Sequence, residues 1–333
     1  MFLNYMCFIY YSFYVIILIA NHSIFEVFVL EYITVKQAAE RWGITPRRVR
    51  VLCAQGKIPG VVKKKGLYNI PINAIKPIDG RLLRGKNISQ EYFQLFSQID
   101  ALKEQLNKRR PLTQGEIKRL QEEFLIEFTY NSNAIEGSTL TLKETAMVLK
   151  GITIDEKPLR EHLEAVGNKD AFMYIQQLVS DKRIITERII KEIHSLVLMD
   201  RPFDKGVYRR LPVRIMDAAH EPPQPYLVPV QMEQLIADFA KTKLHPIESA
   251  ALFHLKFEGI HPFIDGNGRT GRLLLNFMLM QHGYLPINVK FSDRKKYYNC
   301  FDDYYKNNDA KSMINMVTKY LKEQLEKYLS LLQ

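Results

Sequence analysis

The chain has 333 residues, 47% of them hydrophobic and 25% charged, with 15 prolines and 16 glycines spread along it. That balance excludes a fibrous, low-complexity or wholly disordered protein and leaves room for two or three domains, each with its own core. The net charge of +11 favours an anionic partner such as nucleic acid, nucleotide or a membrane surface, while Cys7, Cys53 and Cys300, with no CxxC pair, exclude a disulfide framework and a zinc knuckle and suit a reducing, cytoplasmic compartment.

Residues 1–30 open on a hydrophobic leader, and its first twenty residues carry no Asp, Glu, Lys or Arg. They are long enough to span a bilayer as a helix but lack the basic start and small-residue cleavage site of a signal peptide. Two readings stand: upstream sequence included by a misassigned start, which the dense Tyr and Phe and missing anchor charges favour, or a membrane anchor with the rest of the chain on the cytoplasmic side.

Residues 31–78 follow with the pattern of two short helices and a hairpin. Thr34 and Gln37 form a capping-box signature, Gly43 stops the first helix, and Thr45 with Pro46 opens a second that carries Arg47, Arg48 and Arg50. Lys63, Lys64 and Lys65 sit in a Gly/Pro-punctuated hairpin. Between residues 36 and 70 nine bases face one acid, Glu40. A second helix with arginines near its start suits a major groove, and a lysine-bearing hairpin suits phosphates, so DNA is the expected partner of residues 31–75. The stretch resembles the small winged helix-turn-helix of excisionases. A solvated basic face on a protein-interaction module is the other reading.

Residues 79–112 read as a linker running into a helix that stops at Pro111 and separates two domains, the second covering 113–333. Within it, "SNAIEG" (Ser132 to Gly137) ends a helix expected over about 118–137. "GVYRRLPVRIMDAAHEPPQPYLVP" (206–229) pairs a short β-prone run with a Pro-rich turn.

The densest chemistry is "HPFIDGNGRTGR", His261 to Arg272, between two apolar helical stretches. Gly266, Asn267 and Gly268 cannot form a stable helix interior, so this is a loop whose backbone N–H groups converge on an anion at the start of the next helix. Arg269 and Arg272, three residues apart, fall on one side of that helix, within reach of one polyanion such as a triphosphate. Asp265 is a carboxylate beside a phosphate nest, which is how Mg²⁺ is usually held. His261 can take a proton near neutral pH, so the expected reaction is attack of a hydroxyl on phosphorus. His254 lacks the i,i+4 spacing of helical zinc ligands and reads as a core histidine.

This segment matches the Fic family pattern HPFxxGNGRxxR at every fixed position, and about residues 185–322 look similar to that family's members. The resemblance implies a mainly α fold, a Fic-type helical bundle with a β-hairpin flap, preceded here by the small winged helix-turn-helix domain. It implies transfer of AMP from Mg-ATP to a Tyr, Thr or Ser hydroxyl of a target protein, with release of pyrophosphate. Carried over by position, His261 is the general base, Phe263 anchors the loop, Asp265 binds Mg²⁺, and Gly266, Asn267 and Gly268 form the anion hole. Arg269 then contacts the phosphates and Arg272 the γ-phosphate. Residues 206–229 correspond to the flap on which the target docks as an added strand. "DRKKYYNCFDDYY" (293–305) resembles the helix bordering adenine, with Tyr298 and Tyr305 as candidates to stack on the base, although the register departs by one residue.

"SNAIEG" resembles the family's inhibitory motif [ST]xxxE[GN], on the residues Ser132 and Glu136. A Glu136 carboxylate on Arg272 would occupy the guanidinium that the γ-phosphate needs, leaving the α-phosphate out of line for attack. The enzyme is therefore expected to be autoinhibited, with ATP and a target protein as partners and a homodimer as a further form. Removal of AMP from modified targets, transfer of another phosphate-containing group, and a DNA-binding regulator with a nucleotide-sensing Fic domain are the alternatives.

Overall fold

The computed structural model describes residues 32–55, 58, 60–64, 66–72, 74, 92–109, 113–215 and 220–332. The hydrophobic leader, for which a membrane anchor or a misassigned start is expected, lies outside the described residues. Among those described, no helix is long and apolar enough to cross a membrane. The chain divides into two compact units, Met1–Arg84 and Gly85–Gln333.

The first unit holds strand β1 (Tyr32–Thr34), helices α1 (Val35–Trp42) and α2 (Pro46–Ala54), and the hairpin of β2 (Val62–Lys64) and β3 (Leu67–Pro71). Local chemistry sets the helix limits. Thr34 and Gln37 close a reciprocal capping box, Gly43 terminates α1 in the left-handed region at φ 62°, and the Thr45 side chain caps α2 ahead of Pro46. The antiparallel sheet runs β1-β3-β2, with Ile33 opposite Ile70 and Lys63 opposite Tyr68. Ala38, Trp42, Val49, Leu52 and Ile70 make a core of its own.

The second unit is helical. It comprises α3 (Phe93–Asn107), α4 (Gln114–Ile135), α5 (Leu142–Leu149), α6 (Leu159–Ser180), α7 (Glu187–Val197), α8 (Val228–Ala240), α9 (Pro246–Ile260), α10 (Asn267–Gln281), α11 (Arg294–Asn307) and α12 (Lys311–Leu331). At its centre α9 and α10 pack on one another. α10 also meets α4, α6 and α7, while α9 meets α8 and α12. Leu255 and Phe257 on α9, with Leu273, Leu274 and Phe277 on α10, are buried in the main core. Helix α10 is buried on nearly all sides, its first turns through polar residues such as Asn267, Arg269 and Arg272 and its later ones through Leu273, Leu274, Leu275 and Phe277.

Three expectations change. The helix within 79–112 does not merely connect domains: α3 packs along α12 and buries Phe96 and Ile99 in the main core. The helix expected from about 118 starts at Gln114, because Thr113 and Glu116 form a capping box, and it ends at Ile135 with Glu136 as C-cap. No β-hairpin appears among the described residues of 206–229, where the chain is irregular until a 3₁₀ turn at Pro225–Leu227. Strands need a ladder partner, and Pro212, Pro222, Pro223 and Pro225 remove backbone donors from this stretch. The three-stranded sheet lies wholly in the first unit.

Candidate active site

Helix α9 ends at His261, whose backbone is left-handed (φ 49°) and turns the chain into the glycine-rich loop. Helix α10 begins at Asn267 after Gly266, also left-handed at φ 74°. Between them the Asn267 side chain staples the loop: the Phe263 N–H donates to its Oδ1 and its Nδ2 donates to the Phe263 carbonyl, both at 2.9 Å. Phe263 is fully buried and stacks on His194 at 3.6 Å, nearly parallel. His194 uses both ring nitrogens. Nε2 donates to the Asp265 carbonyl at 2.9 Å, and Nδ1 accepts the Gly206 N–H at 2.8 Å. Burial pushes its pKa down to about 4, so it stays neutral in this role.

A cavity of about 440 Å³ opens at the end of α9 and is bordered by Glu136, Glu258, His261, Gly268, Arg272 and residues of α11. His261 Nδ1 donates to the Glu258 carbonyl at 3.3 Å, which leaves Nε2 with its lone pair. Burial, opposed by the Glu258 backbone contact, lowers its pKa to about 4. The imidazole is therefore unprotonated at neutral pH.

Arg272 is buried and fully engaged. Its Nε donates to Ser132 Oγ at 3.0 Å, and its Nη2 donates to the Ser132 carbonyl and to Glu136 Oε1, both at 2.7 Å. Nη1 lies 3.4 Å from the Tyr297 hydroxyl. Burial works against its charge, but Glu136 and Tyr297 outweigh it and hold the pKa above the usual arginine value. Gly268 makes this closure possible: a Cβ there would come within 2.1 Å of Glu136 Oε1 and 3.1 Å of Arg272 Nη1.

His261, Gly268, Arg272, Glu136, Tyr298 and Tyr305 thus share one cavity, with Ser132 behind it. Two others lie outside its lining. Arg269 is buried, and its guanidinium faces Glu164 at 3.3 Å and Asp265 at 3.6 Å. Asp265 also lies off the lining, its Oδ1 accepting the Gly266 N–H at 2.6 Å and its Oδ2 3.5 Å from both Arg160 and Arg201. Tyr305 has one face covered by His220 at 3.9 Å, and its hydroxyl donates to the Leu255 carbonyl. Tyr298 lies at the rim with its hydroxyl donating to the Ile135 carbonyl at 3.2 Å.

Four functional neighbours escape sequence reasoning. Tyr297, one residue from the expected stacking position, is buried with its hydroxyl 2.7 Å from His254 Nε2. Glu258 is largely buried beside His261, and burial followed by repulsion from Glu136 raises its pKa to about 8. Its position three residues before His261 puts both on one helical face, a spacing that could have found it. His194 and Arg209 reach the loop from 71 and 52 residues away and leave no local signal.

Comparison with known proteins places this geometry. Residues 184–279 match the Fic/DOC family. A protein of Nematostella vectensis named protein adenylyltransferase Fic is 34% identical over 310 residues, covering 89% of this chain and 71% of that one. A Drosophila yakuba protein of the same name is 36% identical over 221 residues, 65% of this chain, which spans only 44% of that relative. Among solved structures, a Fic domain containing signaling protein from Bacteroides thetaiotaomicron superposes with TM-score 0.66 and 29% identity over 71% of this chain and 96% of its own. Fic-1 from C. elegans gives 0.66 and 28% over 73% of each chain. The family match brackets the stapled loop, and the Nematostella relative extends it over most of both proteins, so this chain belongs to the Fic/DOC family.

Proposed function

We propose that the second unit is a protein adenylyltransferase held in check by its own helix α4. The acceptor hydroxyl oxygen attacks the α-phosphorus of ATP, the bond to the β-phosphate breaks, pyrophosphate leaves, and the hydroxyl proton passes to Nε2 of His261. Backbone N–H groups at the start of α10 and the positive end of its dipole suit the phosphates. The observation that carries the reading is that a neutral histidine, the Gly268 backbone near the uncapped start of α10 and a buried guanidinium border one cavity.

Asp265 fits a magnesium ion in donor chemistry, being a single carboxylate beside a phosphate-binding loop, the arrangement in which Mg²⁺ takes its other ligands from phosphate and water. Among the described residues no group of three or more His, Cys, Asp or Glu could hold a metal without such help. The ion would supply charge neutralisation on the phosphates. Arg160, Arg201 and Arg269 now neutralise that carboxylate, so its ligand role requires them to yield.

Glu136 acts as the brake. With its carboxylate on Arg272 at 2.7 Å, the guanidinium is not available to a terminal phosphate. With α-labelled ATP and Mg²⁺, Glu136→Gly is expected to label itself far faster than the parent, and His261→Ala to remove labelling altogether. Equal labelling by all three proteins overturns the reading.

For the first unit we infer DNA binding. Arg47 and Arg50 on α2 and Lys63 and Lys64 on β2 are exposed, a helix and a hairpin that suit a groove and its flanking phosphates. Binding to duplex from its own promoter should weaken steeply with salt, and Arg47→Ala with Arg50→Ala should lower that slope by about two. An unchanged slope assigns the basic face to another partner.

A further inference from the structure

We propose that Arg209 is a positioning residue that fixes the register between a protein docked along 206–229 and the imidazole of His261. The proposal rests on reading the site as an AMP-transferase with the target on that segment. Arg209 is only 4% exposed, and its hydrogen bonds run to main-chain carbonyls. Its Nε donates to the His261 carbonyl at 2.8 Å, Nη1 to Leu211 at 3.2 Å, and Nη2 to Pro223 at 2.5 Å and Ile260 at 3.4 Å. Its own N–H donates to the Pro262 carbonyl at 2.9 Å.

The arrangement joins three pieces of chain at one planar fork: the outgoing limb at Leu211, the returning limb at Pro223, and the end of α9. Burying a cation against neutral acceptors is costly, and burial lowers this guanidinium's pKa. Covering an apolar surface could be done by a neutral side chain. Several N–H donors diverging in one plane come only from arginine, whereas lysine offers a single point charge. The His261 carbonyl that Arg209 grips belongs to the left-handed residue whose backbone sets the imidazole's direction. A second tether reinforces the first, since His220 on the returning limb donates from Nε2 to the Gly259 carbonyl at 2.8 Å. A chain docked along these limbs therefore delivers its hydroxyl at a distance from His261 that Arg209 sets.

The test uses the full chain carrying Glu136→Gly, with Arg209→Lys and Arg209→Gln added separately. Melting temperature and calorimetric affinity for Mg with a non-hydrolysable ATP analogue control for folding and for the nucleotide site. Self-labelling from saturating α-labelled ATP is followed against pH. The groups facing His261 are Glu258 on its own helix, Glu136 from α4, Asp265 in the loop, and Arg209 itself. Both variants are expected to keep analogue affinity within about twofold and to lose about 100-fold in labelling rate, the scale on which misplacement of reacting groups acts. Arg209 lowers the pKa of His261, so Arg209→Gln should move the acid limb of the profile to higher pH. Arg209→Lys keeps the charge and should leave that limb in place.

Variants that label at the parent rate overturn the role of Arg209, and so does a loss that appears equally in melting temperature and analogue affinity. A Glu136→Gly parent that folds but does not label overturns the transfer reading itself, and with it this proposal.

Discussion

Ser132 in the last turn of α4 and Glu136 at its C-cap lie four residues apart and close on Arg272 together, the serine with both its hydroxyl and its carbonyl. Charge and shape can be separated here. Glu136→Gln keeps the side-chain volume but turns a charge-assisted hydrogen bond into a neutral one, a difference of roughly 1–2 kcal/mol. Its self-labelling rate should fall between those of the parent and Glu136→Gly, roughly tenfold above the parent in the same assay. Gly259 is a harder constraint, since a Cβ there would come within 1.6 Å of the Tyr305 hydroxyl. Gly259→Ala should cost about 1–3 kcal/mol of stability by overpacking, read as a fall in melting temperature. At this scale the sequence was only partly informative. The fixed letters of the motif name His261 and Arg272, but a run of tyrosines on α11 does not say which ring turns inward. Tyr297 took the buried place because its hydroxyl meets His254 and Arg272, partners visible only in three dimensions.

The pair α9 and α10 shows what local chemistry can encode. Pro246 near the start of α9, and Gly266 before α10, make the helix-loop-helix readable without coordinates. So is the capping box at Thr34; those at Thr113 and Thr141, each also a contact three residues long, were not read from the sequence. The loop's internal staple is also short-range. Asn267→Ala leaves the buried N–H and carbonyl of Phe263 without partners, at on the order of 1–3 kcal/mol each. It should lower the melting temperature and reduce labelling in the Glu136→Gly background, whereas a variant as stable and active as its parent would deny the staple any importance. The ties that fix the loop to the rest of the unit were not legible. His194 comes from α7 and Arg209 from the stretch before α8, and no periodicity within either segment announces a partner so far along the chain. Among the described residues of 206–229 no hairpin forms, for a related reason: β-prone residues form a strand only when another strand is offered to them.

Over the whole molecule, mainly helical architecture was expected from the resemblance to the Fic family, while the membership of α3 in the main core was not, because its charged flanks and following proline resemble a connector. The same core imposes a dependence on pH. His194 and His254 are buried and His261 is half-buried, and the loss of solvation holds their pKa values down to about 4, 3 and 4. The unfolded chain binds protons at these sites below about 6.5 and the folded one does not, so stability is present above that pH and is lost as pH falls towards 3 to 4. Thermal melts should show a declining midpoint across that window, and His254→Gln should flatten it. Helix α4 carries Glu136 at its C-terminal end and contributes Phe124, Phe128 and Ile135 to the main core along its length. Lifting it away like a lid would strip the bundle of its own interior. On the proposed reading, Arg272 is released by a change of rotamer at a single carboxylate, and amide exchange along residues 124–135 should remain as slow in Glu136→Gly as in the parent.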